Sequence, residues 1–166
     1  MPRTSLLGAT LLVAVCCASC TRRLATDAIN SWLSQHKDYR LATDADCDCD
    51  EALIVVRKGS GGAPVPNYHP YTATGDFNGD NSEDSAFVVV QKSGRSDGFA
   101  LLIFNGPSMA SSPSFIEEGL ELRGNGLVFG PPRPKPYRLV MGPLESEGAI
   151  LEPTGSGYEM IGFEGY

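Results

Sequence analysis

Segment 75–86 concentrates the side chains of this sequence that are best suited to metal chemistry. Its residues are Gly-Asp-Phe-Asn-Gly-Asp-Asn-Ser-Glu-Asp-Ser-Ala, so oxygen-bearing side chains alternate with other residues. Calcium takes about six to eight oxygen ligands, and alternating side chains in a tight loop can all point inward. The pattern therefore indicates a calcium loop. The alternative is a metal-free turn in which Asp and Asn side chains cap backbone amides.

This segment resembles the metal loop of FG-GAP and VCBS-like repeats, in which D-x-N-x-D-G-x-x-D precedes a hydrophobic strand. The resemblance implies that four residues bind Ca2+ through their side chains, namely Asp76, Asn78, Asp80 and Asp84. It also implies that Ser82 contributes its backbone carbonyl. The motif occurs once in the chain, whereas a complete propeller needs several such blades.

Four neighbouring residues refine this resemblance. It implies that Gly79 allows a close approach of the backbone and that Phe77 turns into the core to seat the loop. Asn81 stands where glycine is usual, and asparagine tolerates the left-handed conformation better than most residues. Phe87 occupies the position at which an EF-hand has its bidentate Glu, which excludes an EF-hand. Three carboxylates without that Glu predict a modest affinity, with a Kd on the order of 10⁻⁴–10⁻³ M.

A second acidic segment surrounds Cys47 and Cys49. Four aspartates alternate around this C-x-C pair, at positions 44, 46, 48 and 50. A copper or zinc site is one interpretation. An acidic connector that carries a Cys47–Cys49 disulfide, or two unreactive thiols, is the other, and the absence of a nearby glycine or histidine favours it.

Catalytic motifs are missing from the sequence. It contains no G-x-S-x-G, no H-E-x-x-H, no P-loop and no dinucleotide fingerprint. Only His36 and His69 could act as bases near neutral pH. His36 follows the first predicted helix, where a cation complements the helix dipole. His69 lies beside Tyr68, shortly before the acidic loop, so a small hydrolase that uses His69 near calcium is the alternative function.

Residues 1–20 have the three parts of an export signal. Arg3 provides a positive start, residues 6–18 form an apolar run too short to span a bilayer, and small residues precede Cys20. Residues 17–20 resemble a bacterial lipobox, except that Cys17 replaces the usual aliphatic residue. The resemblance implies lipidation of Cys20. Of the five cysteines, this leaves Cys47 and Cys49 as a pair, whereas the alternative, cleavage after Ala18, leaves three.

Removal of the leader leaves residues 21–166, a length suited to one globular domain. Twelve basic and twenty acidic side chains remain, for a net charge of about −8. Nucleic-acid binding requires a cationic surface, so this composition argues against a nucleic-acid ligand.

The element pattern predicts an α+β fold. Leu24, Ala28, Ile29 and Trp32 recur at helical spacing, and residues 48–59 have the ends of a second short helix, although Ile54 to Val56 favour a strand. Apolar runs predict a central hairpin of strands 86–91 and 99–104, covered on both faces. Shorter strands are predicted at 120–123, 127–129, 137–141, 149–152 and 158–163. We therefore expect one or two helices packed on an antiparallel β-meander of about six to seven strands.

These features predict a lipid-anchored protein of the cell envelope, exposed to the periplasm or held at the outer membrane. Calcium would be structural, and the domain would act as a non-enzymatic binding or structural module. The lipid anchor on Cys20 would hold it at the membrane, and its partner would be an envelope protein or a glycan.

Overall fold

The computed structural model describes residues 13–59, 63–106, 112–129, 138–144 and 148–162, with only the backbone described for residues 13–22. Within these ranges the chain forms two α-helices, one 3-10 helix at Asp44–Asp46 and nine β-strands. The helices and strands are α1 (Val13–Gln35), β1 (Tyr39–Leu41), α2 (Asp50–Lys58), β2 (Thr72–Gly75), β3 (Asp84–Gln91), β4 (Phe99–Phe104), β5 (Phe115–Leu120), β6 (Asn125–Phe129), β7 (Leu139–Pro143), β8 (Ala149–Thr154) and β9 (Gly157–Ile161).

The strands form two antiparallel sheets. In sheet A the order is β1, β3, β4, β5, and β2 also pairs with β3. Strand β2 pairs with the first half of β3 and β1 with its second half, so both short strands lie on the same edge. Sheet B contains β6, β7, β8 and β9 in chain order.

The hairpin of β3 and β4 is buried on both faces because different layers cover the two sides of sheet A. One face carries Val89, Leu102 and Phe104, which pack against Ile29 and Trp32 of α1. The opposite face packs on residues of sheet B and α2, among them Leu53, Leu127, Leu139, Met141 and Leu151. Continuous apolar runs in β3 and β4 are what a doubly covered hairpin requires.

The predicted fold class is wrong in its architecture. The described residues form nine strands in two sheets, not a helix on a single meander of six to seven strands. A meander was expected because neighbouring strands are joined by tight turns. Turn residues, however, cannot indicate that β5 ends one sheet and β6 begins another.

Strand 120–123 was also predicted wrongly. Strand β5 ends at Leu120, and most of its residues are exposed, so it has no apolar periodicity to reveal it. Gly119 has φ +74°, next to an irregularity in the register with β4, as in a bulge that uses a left-handed glycine.

The helical features follow the sequence more closely. Trp32 is 3% exposed and is the core anchor of α1 that its spacing predicted. Residues 50–58 form helix α2 rather than a strand, and Gly59 ends it in the left-handed conformation with φ +77°. Among the described residues, no helix is both long and apolar enough to cross a membrane.

Candidate functional site

The acidic loop connects β2 to β3, and its second residue fixes it to the core. Phe77 is 1% exposed, and its ring packs edge-on against Phe129 of β6, with ring centroids 5.0 Å apart. The prediction that Phe77 turns inward is therefore confirmed. The other loop residues from Asp76 to Glu83 are half-buried or exposed, whereas Asp84 is buried.

Asp76 closes the first turn of the loop through both of its oxygens. Its Oδ1 accepts a hydrogen bond from the amide of Gly79 at 2.7 Å, and its Oδ2 accepts one from the amide of Asn81 at 3.0 Å. Gly79 and Asn81 have φ +80° and +67°. The expectation that Asn81 tolerates the left-handed conformation is met.

The middle of the loop is held by a chain of local hydrogen bonds. Asn78 Oδ1 accepts from the amide of Asp80 at 2.9 Å, and Asp80 Oδ1 accepts from the amide of Ser82 at 2.7 Å. Asn78 Nδ2 donates to the other oxygen of Asp80 at 3.1 Å. The hydrogen bond from the Ser82 amide is the largest cause that lowers the pKa of the Asp80 carboxyl.

Asp84 differs from the other polar residues of the loop because it is fully buried. Its Oδ2 accepts from the amide of Phe77 at 2.8 Å, and its Oδ1 accepts from the amide of Gly106, after β4, at 2.9 Å. A Cβ at Gly106 would lie 2.4 Å from the carbonyl oxygen of Glu83, so only glycine fits. Burial raises the pKa of the Asp84 carboxyl, and the negative charge of Asp80 acts in the same direction.

Tyr158 of β9 brings sheet B into this neighbourhood. Its hydroxyl donates to Asn105 Oδ1 at 2.8 Å. Burial is the main cause that raises the pKa of Tyr158, and the charges of Asp84, Asp80 and Asp76 raise it further. The three carboxylates therefore lie near one hydroxyl group. Sequence reasoning missed Tyr158, Asn105 and Gly106 because nothing in their local pattern connects them with a loop some twenty or more residues away.

The oxygen donors of the loop fit a calcium ion chemically. An ionised carboxylate has about four acceptor positions, so the amide hydrogen bonds leave acceptor capacity on Asp76, Asp80 and Asp84. Together with Asn78 and the Ser82 carbonyl they form a hard oxygen set of the kind that calcium prefers. Within the described residues, however, no three His, Cys, Asp or Glu side chains are grouped as a metal site would require. The amide hydrogen bonds also close the loop without a metal.

Arginine side chains form ion pairs with two aspartates of the second acidic segment. Asp46 accepts two hydrogen bonds from Arg40, at 2.8 and 2.6 Å, and Asp44 pairs with Arg57. Two of the four aspartates are thus neutralised by cationic side chains, as in an acidic connector. The structure joins Cys47 and Cys49 by a disulfide, with their Cα atoms 5.1 Å apart, and both residues are buried.

His69 and Tyr68 line an open groove of 1370 Å³ between α1, β2 and β6. Glu83 and Ser85 also line it, whereas none of the five predicted calcium ligands does. His69 therefore shares this groove with Glu83 of the acidic loop but not with the predicted calcium ligands. His69 Nδ1 lies 3.2 Å from Asp44 Oδ1.

Among the described residues, His69 is paired with Asp44 and not with a nucleophile of the groove. Ser85 Oγ is buried and has no hydrogen-bond partner in the part of the chain that is described.

The other two residues singled out in the sequence lie in or next to α1. His36 follows the end of α1, where its ring stacks on Trp32 and its Nδ1 is 2.8 Å from the Trp32 carbonyl. Cys20 lies within α1, in the part for which only the backbone is described.

Comparisons of this chain with protein-family models, with curated proteins and with solved structures found no match.

Proposed function

We propose that this chain is an exported, lipid-anchored protein of the cell envelope whose 76–84 loop binds calcium as a structural cofactor. The domain acts as a non-enzymatic binding or structural module. Asp76, Asn78, Asp80 and Asp84 bind the ion through their side chains, and Ser82 binds it through its carbonyl oxygen. The anchor is a lipid on Cys20.

The burial of Asp84 is the observation that carries the calcium proposal. A buried carboxylate is costly unless its charge is paired, and the described donors that lie around Asp84 are all uncharged, namely the amides of Phe77 and Gly106 and the Tyr158 hydroxyl. No salt bridge to a Lys or Arg of the described chain balances its charge. Asp76 and Asp80 add two further carboxylates to the same neighbourhood. A divalent cation would balance these charges, and the lone pairs left on the carboxylates could bind it.

The position of the loop supports a structural role for the ion. The loop begins where β2 ends, and its last residue begins β3, the central strand of sheet A. Phe77 and Asp84 contact sheet B and the end of β4, respectively. An ion that holds this loop would thus stabilise the junction between the two sheets, by an amount set by the calcium concentration relative to the Kd.

The leader and the cysteines support export. Residues 1–20 have the pattern of a lipoprotein signal. A disulfide between Cys47 and Cys49 persists in an oxidising compartment and is rare in the cytosol. Extracytoplasmic calcium is concentrated enough to fill a site of modest affinity.

Thermal unfolding of the chelator-stripped full chain tests the calcium proposal. Millimolar calcium should raise the Tm of the wild-type protein, and Asp80→Asn should abolish most of this increase. Asp38→Asn is the matched control, since Asp38 is an exposed aspartate outside the loop. An unchanged Tm of the wild-type protein in calcium would refute the proposal, as would an equal response of the Asp80→Asn variant.

The pairing of His69 with Asp44 supports a small hydrolase as the second candidate. A carboxylate that orients an imidazole is the arrangement of a general base, and this pair lies beside a groove large enough for a substrate. His69→Ala separates the two candidates. A binding module should keep its fold and its partner affinity in this variant, whereas a hydrolase would lose turnover.

A further inference from the structure

A second concave site lies at the other end of β3 from the acidic loop. Asp84 begins β3 and Gln91 ends it, so a strand rise of about 3.3 Å per residue separates the two places by roughly 23 Å. Beside Gln91 is a pocket of 380 Å³, formed by β1, the 3-10 helix, the β3–β4 turn and the segment between β5 and β6. This volume lies within the usual range for small-molecule sites, about 300–1,000 Å³.

The charge of this pocket is opposite to that of the whole chain. Four basic and two acidic side chains line it, for a formal charge of +2, whereas the chain carries −7. The basic residues are Arg40, Lys92, Arg95 and Arg123, and the acidic ones are Asp46 and Asp48. The positive charge that lines this pocket attracts small anions locally, although the protein as a whole is acidic.

Two of the four cations are already engaged. Arg40 is held by Asp46 through two short hydrogen bonds, and it also donates to the Leu41 carbonyl. Arg95 makes two hydrogen bonds to Asp97, at 2.9 and 2.7 Å. These pairs fix the walls of the pocket and leave few donors for a ligand.

The other two cations keep donors available. Lys92 Nζ donates to the Lys37 carbonyl at 2.6 Å, which fixes the ammonium and leaves two of its three protons. The Arg123 side chain makes no hydrogen bond or ion pair within the described residues. Val90 and Phe99 give the pocket an apolar floor. Asp48 adds an exposed carboxylate that can accept a hydrogen bond from a ligand hydroxyl.

We propose that this pocket binds a small phosphate monoester that carries hydroxyl groups. Arg123 and Lys92 bind the phosphate, since a guanidinium can donate two parallel hydrogen bonds to its oxygens and an ammonium supplies a second positive charge. Asp48 binds a hydroxyl group of the ligand. Arg40 and Asp46 are positioning residues. This site is independent of the calcium loop.

Calorimetric titration of the full chain with glycerol 3-phosphate, at low ionic strength, tests the site. Glycerol 3-phosphate should bind, and glycerol should not. Arg123→Ala and Lys92→Ala should each raise the Kd by about tenfold or more, because each removes a charge-assisted hydrogen bond. Arg123→Lys keeps the charge but loses the bidentate geometry, so its Kd should lie between those of the wild-type protein and Arg123→Ala.

Lys58→Ala is the matched control, because Lys58 is an exposed base at the end of α2 and outside the pocket. It should leave the Kd unchanged. The proposal is overturned if the wild-type protein does not bind millimolar glycerol 3-phosphate. It is also overturned if Lys58→Ala weakens binding as much as Arg123→Ala, since the effect would then reflect overall charge. Circular dichroism of each variant verifies that its fold is intact.

Discussion

The Phe77 ring meets the Phe129 ring edge-on, at an interplanar angle of 68° and a centroid distance of 5.0 Å. This contact joins the acidic loop of sheet A to the first strand of sheet B. Edge-to-face pairs of this kind add about 0.5–1.5 kcal/mol beyond the burial of their surface. The loop is therefore part of the core between the two sheets, although most of its polar residues are on the surface.

Replacement of Phe77 should consequently destabilise the whole domain. Phe77→Ala is expected to lower the free energy of unfolding by about 3–5 kcal/mol, since it leaves a cavity at a fully buried site. Urea denaturation measures this difference. Ile116→Ala is the control, because Ile116 is 43% exposed and should change stability by less than about 0.5 kcal/mol. Equal losses in the two variants would contradict the packing described for Phe77.

Gly75 lies directly beneath the Phe129 ring, so a larger residue at position 75 should overpack the core. A Cβ at Gly75 would lie 2.0 Å from Phe129 Cε1. Gly75→Ala should cost about 1–3 kcal/mol, and the smaller side chain of Phe129→Leu should relieve part of that cost. A double-mutant cycle in urea should therefore give a coupling energy of at least about 0.5 kcal/mol.

Gly155 supplies the control for this cycle. A Cβ at Gly155 meets no atom within 4 Å. Gly155→Ala should therefore change stability little, and its effect should add to that of Phe129→Leu. Strict additivity of Gly75→Ala with Phe129→Leu would show that the two sites are not in steric contact.

The features that could be predicted from the sequence are those that depend on local chemistry. Asn81 adopts the left-handed conformation and Gly59 ends α2, because backbone preferences of single residues determine both. Trp32 and Phe77 are buried, and the hairpin of β3 and β4 is covered on both faces, because large or continuous apolar surfaces are unfavourable in contact with water.

Features that depend on distant residues could not be predicted. Strand β5 contains two exposed glutamates, Glu117 and Glu118, and is a strand only because it pairs with β4. Strands β1 and β2 are too short to show a periodicity. Gly106 donates to Asp84 from a position that no local motif indicates. The division into two sheets is likewise a consequence of packing, which turn residues do not encode.

Asp46 should make stability depend on pH in the acidic range. The Arg40 guanidinium, with help from Thr43, holds the pKa of Asp46 well below its usual range. A carboxyl with a depressed pKa in the folded state stabilises that state above its unfolded pKa, about 3.9, and this contribution disappears as pH falls towards the folded value.

Arg40 is about half exposed, so solvent screening limits the contribution to about 0.2–1 kcal/mol. The free energy of unfolding of Asp46→Asn should therefore be lower than that of the wild-type protein at pH 6, and the difference should shrink below about pH 4. Asp38→Asn, which removes an exposed aspartate, is the comparison. A difference that grows as the pH falls would contradict the assigned pairing.

Reduction of the Cys47–Cys49 disulfide should destabilise the protein modestly. The loop that it closes is very short, so the chain-entropy contribution is about 1–2 kcal/mol, less than for longer loops. Urea denaturation with and without dithiothreitol measures the change. A Cys47→Ala/Cys49→Ala variant should not respond to dithiothreitol, which separates this disulfide from the three cysteines near the N-terminus. Alkylation of residues 47 and 49 in unfolded, unreduced protein would show that the disulfide is absent.

Cys20 should carry the lipid, and labelling in a bacterial host with palmitate tests this proposal. Cys20→Ala should lose the label and leave the membrane fraction, because each buried CH2 group of an acyl chain contributes about 0.8 kcal/mol to membrane binding. Cys16→Ala is the matched control, since it removes a neighbouring thiol outside the lipobox and should still be labelled. If cleavage instead follows Ala18, the wild-type protein will be unlabelled and will begin at Ser19. The three remaining cysteines would then leave one thiol unpaired beside the Cys47–Cys49 disulfide.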